Sequence, residues 1–108
     1  MSSEATTTFH SNADAATTIA TIQRVLADNK AKVLGQSPDA TQIDFQTRKT
    51  MLNWELLGRA VTTPAASGSD VSISLDVHHN RPPALMDGVK NRKAVEKLAG
   101  QIQSALGA

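Results

Sequence analysis

The stretch LDVHHNRPPALMDGVKNRK, residues 75–93, gathers two of the chain's three histidines, a pair of prolines and four of its eleven Lys and Arg residues. These side chains can hold a metal ion or grip phosphates, so their spacing decides what they do. His78 and His79 are adjacent, and adjacent residues of an extended segment point to opposite faces, so the two cannot close on one ion together. Further ligands would have to come from His10 with Asp44 or Asp76, which are scattered along the chain. We expect no metal and no cofactor.

Lys90, Lys93 and Lys97 recur at helical spacing and could track a phosphate backbone. They also lie opposite Val95, Leu98 and Ile102, where an amphipathic helix places its solvated charges, and Arg92 precedes Glu96 by four residues. No aromatic residue lies nearby to stack a base, and no glycine-rich phosphate loop occurs. No nucleic-acid partner is expected. SGSD, residues 67–70, offers two hydroxyls and a carboxylate, but no histidine stands at a spacing that makes a triad arguable. Asp44, Glu55, Arg59 and Asp76 share outward strand positions and are expected to pair across strands. An acid/base couple would need one carboxylate driven into an apolar pocket, which a polar face does not offer. No catalytic residue emerges, and the expectation is a non-enzymatic domain.

At 108 residues the chain has room for one hydrophobic core, so residues 1–108 are read as a single domain, with 1–4 and 107–108 expected to be disordered. The composition, 40% hydrophobic and 19% charged, is that of a globular protein, and with only Phe9, Phe45 and Trp54 aromatic the core must be mainly aliphatic. Net charge is +1; residues 80–108 carry five bases against two acids, and residues 1–79 six bases against eight acids. That balance is too mild to specify a polyanionic or membrane partner. Without cysteine there are no disulfides or thiolate ligands. No apolar run approaches the roughly 20 residues of a membrane span, and the N-terminus lacks a charged segment followed by an apolar one, so a cytoplasmic location is expected.

Periodicity supplies the elements that must position any site. ATTTFH (5–10) alternates as a short strand, with Ala5, Thr7 and Phe9 on one face. Ser11 is placed to cap a following helix, with Asp14 completing a weak capping box. Ile19, Ile22, Leu26 and Val33, with Val25 alongside, mark that helix, and Gly35 its stop. TQIDFQT (41–47) alternates with Ile43 and Phe45 inward; Leu52, Trp54, Leu56, Gly58 and Ala60 share one parity; VSISLDV (71–77) turns Val71, Ile73, Leu75 and Val77 inward. PAASGSD (64–70) is the hairpin connection between the last two strands, and Val95, Leu98, Ile102, Ala105 and Leu106 form a final helical stripe ending near Gly107. The order β-α-β-β-β-α predicts a two-layer α+β domain: a mostly antiparallel sheet of about four strands with both helices on one face.

Two surfaces of such a domain could carry function. Phe45, Trp54, Leu56 and Leu75 share the inward face, Gly58 and Ala60 leave room beside them, and Met51 and Met86 could line a cavity adaptably, so these six side chains form a candidate apolar pocket. On the reverse face Leu57 and Val61 break the polar pattern beside Arg59, a candidate interface for self-association or a protein partner. Association is the leading expectation, and carriage of a small apolar ligand between sheet and helices the second.

The phrase FQTRKTMLNWELLGRAVTTPAASGSDVSISLDV, followed by MDGVKNRKAVEKLAGQI, is similar to a class of short uncharacterised bacterial proteins in its turn residues and apolar pattern. The same layout resembles a shortened version of the helix-grip fold of polyketide-cyclase and START-type lipid binders. That resemblance implies a sheet wrapped around a long C-terminal helix and a ligand cavity between them.

Overall fold

The computed structural model describes residues 4–48, 56–77 and 87–107. The chain runs β1 (Ala5–Ser11), α1 (Ala15–Asp28), β2 (Lys32–Gln36), β3 (Gln42–Gln46), β4 (Leu56–Pro64), β5 (Ser69–Val77) and α2 (Asp87–Ala105). The five strands form one antiparallel sheet in the order β1-β5-β4-β3-β2. Strands β2 to β5 are a meander, and β1 returns to pair with β5, so the first two strands of the chain lie on opposite edges. α1 makes that crossing. Its 14 residues span about 21 Å at the rise of an α-helix, and four strand-to-strand steps span about 19 Å, so one helix suffices to carry the chain from edge to edge.

The α+β class and the two helices on one face agree with the sequence, but the sheet has five strands rather than about four. The additional one is β2, which corrects the boundary of α1: Val33 and Gly35 belong to a strand, not to the end of a helix. Val33 follows Leu26 by seven residues and so mimics a helical repeat. What ends α1 is Asn29, whose amide donates to the Val25 carbonyl at 2.8 Å, followed by Lys30 in the left-handed region at φ 58°. The Lys30 and Ala31 amides then donate back to the Ala27 and Leu26 carbonyls, both at 2.9 Å, the bond pair of a Schellman ending. Such an ending normally announces itself by glycine; here lysine occupies it.

The other end of α1 is also corrected. Asp14, not Ser11, is the N-cap, its carboxylate accepting from the Thr17 amide at 2.8 Å. Hydrogen bonding to the Thr17 side chain, and then to its amide, holds the Asp14 carboxyl below its ordinary pKa. Ser11 instead closes β1 opposite Ser69, and both are buried. Their hydroxyls and that of buried Thr18 form a chain: Ser11 to Thr18 at 3.0 Å, Thr18 to Ser69 at 2.9 Å, Ser69 to the Ala13 carbonyl at 3.0 Å. A carbonyl only accepts, so Ser69 spends its proton on Ala13, Thr18 donates to Ser69 and Ser11 to Thr18. The Ala13 amide donates to Ser11 Oγ at 3.1 Å and closes the ring. Gly68, at φ 92°, lies so close to the Ser11 carbonyl that no side chain fits there. Of the two hydroxyls of SGSD, that of Ser69 thus fastens the start of α1 to the end of the β4–β5 turn.

The inner face of the sheet is a series of rows across the strands. One row is Phe9, Val71 and Thr62; the next Thr7, Ile73, Ala60, Ile43 and Gln36; the next Ala5, Leu75, Gly58, Phe45 and Val33; beyond it Leu56 pairs with Val77. α1 covers this face with Ile19, Ile22, Val25 and Leu26, and α2 with Val95, Leu98, Ala99 and Ile102, all buried. Lys90, Arg92, Lys93 and Lys97 are exposed, as expected for the solvated side of an amphipathic helix. In the Phe45 row the missing side chain of Gly58 is what makes packing possible. A Cβ at position 58 would strike the Phe45 ring at Cζ and Cε2 and come within 2.8 Å of Leu75 Cδ2. The room that the sequence assigns to Gly58 is therefore filled by Phe45 and Leu75, both buried.

Two substitutions test this packing with opposite signs. Lys30→Gly removes the left-handed strain of a side chain and should stabilise the fold by roughly 1 kcal/mol in denaturant melts. A loss of stability would mean that α1 does not end this way. Gly58→Ala, which in an ordinary strand would be neutral or favourable, should destabilise by about 1–3 kcal/mol through overpacking, and pairing it with Phe45→Leu should recover part of that loss.

Candidate functional site

The two candidate surfaces occupy opposite faces of the sheet. Of the candidate pocket residues, Phe45 and Leu75 are neighbours on the inner face with 0% and 1% of their surface accessible, and Leu56 is half-buried one row further along. Met51, Trp54 and Met86 lie outside the described residues, as do His78 and His79. Toward this end the described side chains of the inner face become more accessible. Val33, on the row of Phe45 but at the β2 edge, is 46% exposed. Leu75 and Phe45 are buried, while Leu56 is half-buried and Val33, on the exposed edge strand β2, is accessible.

α2 buries one polar side chain among the described residues, Asn91, at 2% accessibility. It sits four residues before Val95 and therefore on the same face of the helix. Sequence reasoning passed over it because an asparagine among lysines reads as solvated. Its only signal was its place in the register, one turn ahead of the apolar stripe.

The candidate interface residues share the outer face as their parity requires: Leu57 and Val61 are half-buried and Arg59 is exposed. Arg59 Nε donates to Asp44 Oδ1 at 2.8 Å, and Nη2 reaches Oδ2 at 3.5 Å, across directly paired positions of β3 and β4. The bond to Asp44, with its charge, raises the Arg59 pKa above its ordinary value. Leu57 and Arg59 line an open groove of about 500 Å³, together with Leu34 and Gly35 of β2, Glu4, Asp44, Ser74 and Asp76, and the Phe45, Gly58 and Leu75 row also borders it. Val61 is not part of its wall. Leu34, 50% exposed, was missed in the sequence because β2 was merged with α1. It occupies the position where the β2–β3 register slips between Val33 and Gly35, a bulge that separates it from the alternation of its neighbours.

His10 does not approach a carboxylate pair; its Nδ1 meets Asp70 Oδ1 at 2.8 Å across β1 and β5, both groups well exposed. Among the described residues no three His, Asp or Glu side chains come together as a metal site, and no helix is long and apolar enough to cross a membrane. Asp39, in the β2–β3 turn, accepts from the Thr41 hydroxyl at 2.8 Å, the Ser37 hydroxyl at 2.9 Å and the Thr41 amide at 3.2 Å. These bonds lower its pKa, and they shape a turn rather than an acid/base site.

No family model matches the chain, and no curated protein matches its sequence. Solved structures do match its fold along almost its whole length. A START superfamily protein from Mycobacterium smegmatis superposes with a TM-score of 0.67 at 14% identity, covering 96% of this chain and 97% of that one. Ara h 8.0201 superposes with a TM-score of 0.60 at 10% identity, covering 95% and 96%. At these identities what is shared is the fold, a START-like, helix-grip arrangement.

Proposed function

We propose that this domain binds a small apolar ligand on the inner face of its sheet, at the end where Leu56 and Val33 remain accessible, without catalysing a reaction. One observation carries the reading: among the described residues, an apolar face buried under both helices over most of its length becomes partly accessible at Leu56 and Val33, in a fold similar to that of a START superfamily protein. Apolar walls with few polar groups are the common composition of small-molecule sites, and buried Asn91 adds an amide to the helix that covers this face. The order of the two expectations drawn from the sequence is thereby reversed, with carriage of a ligand ahead of association.

A ligand that binds only the folded state stabilises it by mass action, by about 2.7 kcal/mol at a free concentration one hundred times Kd. Octanoate, titrated below its micellar concentration, should raise the melting temperature progressively and shift the fluorescence of Trp54, the single tryptophan, in a saturable way. A melting temperature and emission that stay constant across hexanoate, octanoate and small aromatic acids would rule the reading out.

The outer groove supports a second reading, association with another copy or a protein partner. Its apolar floor, Leu34 and Leu57, lies on a face that neither helix covers. On this reading the protein self-associates in the micromolar range, and Leu57→Glu abolishes that while leaving the backbone circular dichroism intact. Sedimentation equilibrium decides it: a wild type that is monomeric at the highest concentration removes self-association through this face.

A further inference from the structure

We propose that Phe45, seated over Gly58, is the floor of the inner-face site and limits it to compact apolar ligands, excluding long acyl chains. The inference rests on the ligand-binding reading above and adds the ligand's size and the residue that sets it.

Three observations lead to it. First, the Phe45 ring crosses from β3 to the middle of β4, where only a glycine could accept it, and meets Leu75 reaching over from β5. The two side chains close the row across three strands. Second, nothing is open behind them. Ile73 at 0% accessibility, Ile43 and Val71 at 1% and Ala60 at 2% form the next rows, and Ile22 and Leu26 at 1% with Val95 and Ile102 at 0% face them from the helices. Side chains with so little residual surface leave no room for a ligand beside them. Third, the accessible apolar surface begins at Phe45's own row with Val33 and continues at Leu56. Successive rows are two residues apart, about 6.8 Å, so the described part of the site is one row deep. A hexyl chain or a single aromatic ring fits such a depth, and an octyl chain overruns it only at the accessible end. A palmitoyl chain would have to run inward over several rows, and those are occupied by the protein's own side chains.

Of the two side chains that close the row, Phe45 is the larger, and its truncation would extend the accessible space furthest. The space left by truncation adjoins the accessible end directly, whereas truncating Ile73 or Val71 would leave a closed void. A shorter side chain at position 45 should therefore lengthen the ligand that fits.

The test is a chain-length series, hexanoate, octanoate, dodecanoate and palmitate, each below its micellar concentration, titrated by calorimetry into wild type, Phe45→Ala and the milder Phe45→Leu. Circular dichroism identifies which variants are folded, and Phe45→Leu carries the test if Phe45→Ala is not. Wild type should bind octanoate at least tenfold more tightly than palmitate, and the folded variant should bring the two within about threefold. Equal binding of octanoate and palmitate by wild type, or an unchanged length profile in a folded variant, would overturn the role of Phe45 while leaving the site itself standing. Failure of wild type to bind any member of the series would overturn the site and this inference together.

Discussion

The packing of this domain depends on one aromatic ring lying against one backbone. Phe45 can lie across the sheet only because position 58 has no side chain, and Gly58 is opposite Phe45 only in the observed β3–β4 register. A slip of one residue would put Phe45 opposite Leu57 or Arg59 and turn every inward side chain of the strand toward water. The contact thus links register, face assignment and core volume. It also compensates for a weakness, since a glycine inside a strand costs conformational entropy and contributes no packing of its own.

Around that contact the two faces of the sheet take different roles. The inner one is apolar and covered by α1 and α2, with the ring of Ser11, Thr18 and Ser69 hydroxyls satisfying the polar groups buried where α1 begins. A closed ring of donors and acceptors at a buried helix start avoids the cost of an unpaired group and fixes the angle at which the helix leaves the sheet. The outer face carries cross-strand polar pairs: Arg59 with Asp44, His10 with Asp70 and Thr6 with Ser74 at 3.0 Å. These exposed pairs are worth little in stability, but they keep most of a bare face soluble and leave Leu34 and Leu57 as its apolar part.

Much of this was legible in residue order. Alternation placed Ile43, Phe45, Ala60, Ile73 and Leu75 inward and Asp44 and Arg59 outward, because a period of two survives wherever one face is buried and the other wet. The same parity put Leu57 and Val61 on the reverse face. What escaped was local or depended on distant partners. β2 is an edge strand with all five residues exposed, so it has no alternation to read, and the lysine at its left-handed helix ending carries no stop signal. The capping role passed from Ser11 to Asp14 because Ser11 is engaged by Thr18, a contact visible only once β1 and the β4–β5 turn are side by side. The glycine at 58 read as space, since sequence does not reveal that a ring from the neighbouring strand occupies it.

The central claim is that a ligand enters on the inner face and stops at Phe45. Methyl carbon-proton correlation spectra recorded during an octanoate titration test it most directly, because leucines mark both faces. The account predicts that the methyl resonances of Leu56 and Leu75 and the ring resonances of Phe45 move together and saturate, while Leu34 and Leu57 outside and Val71 and Ile73 behind the floor stay in place. Movement of Leu34 and Leu57 with Leu56 unperturbed would put the ligand in the outer groove and contradict it.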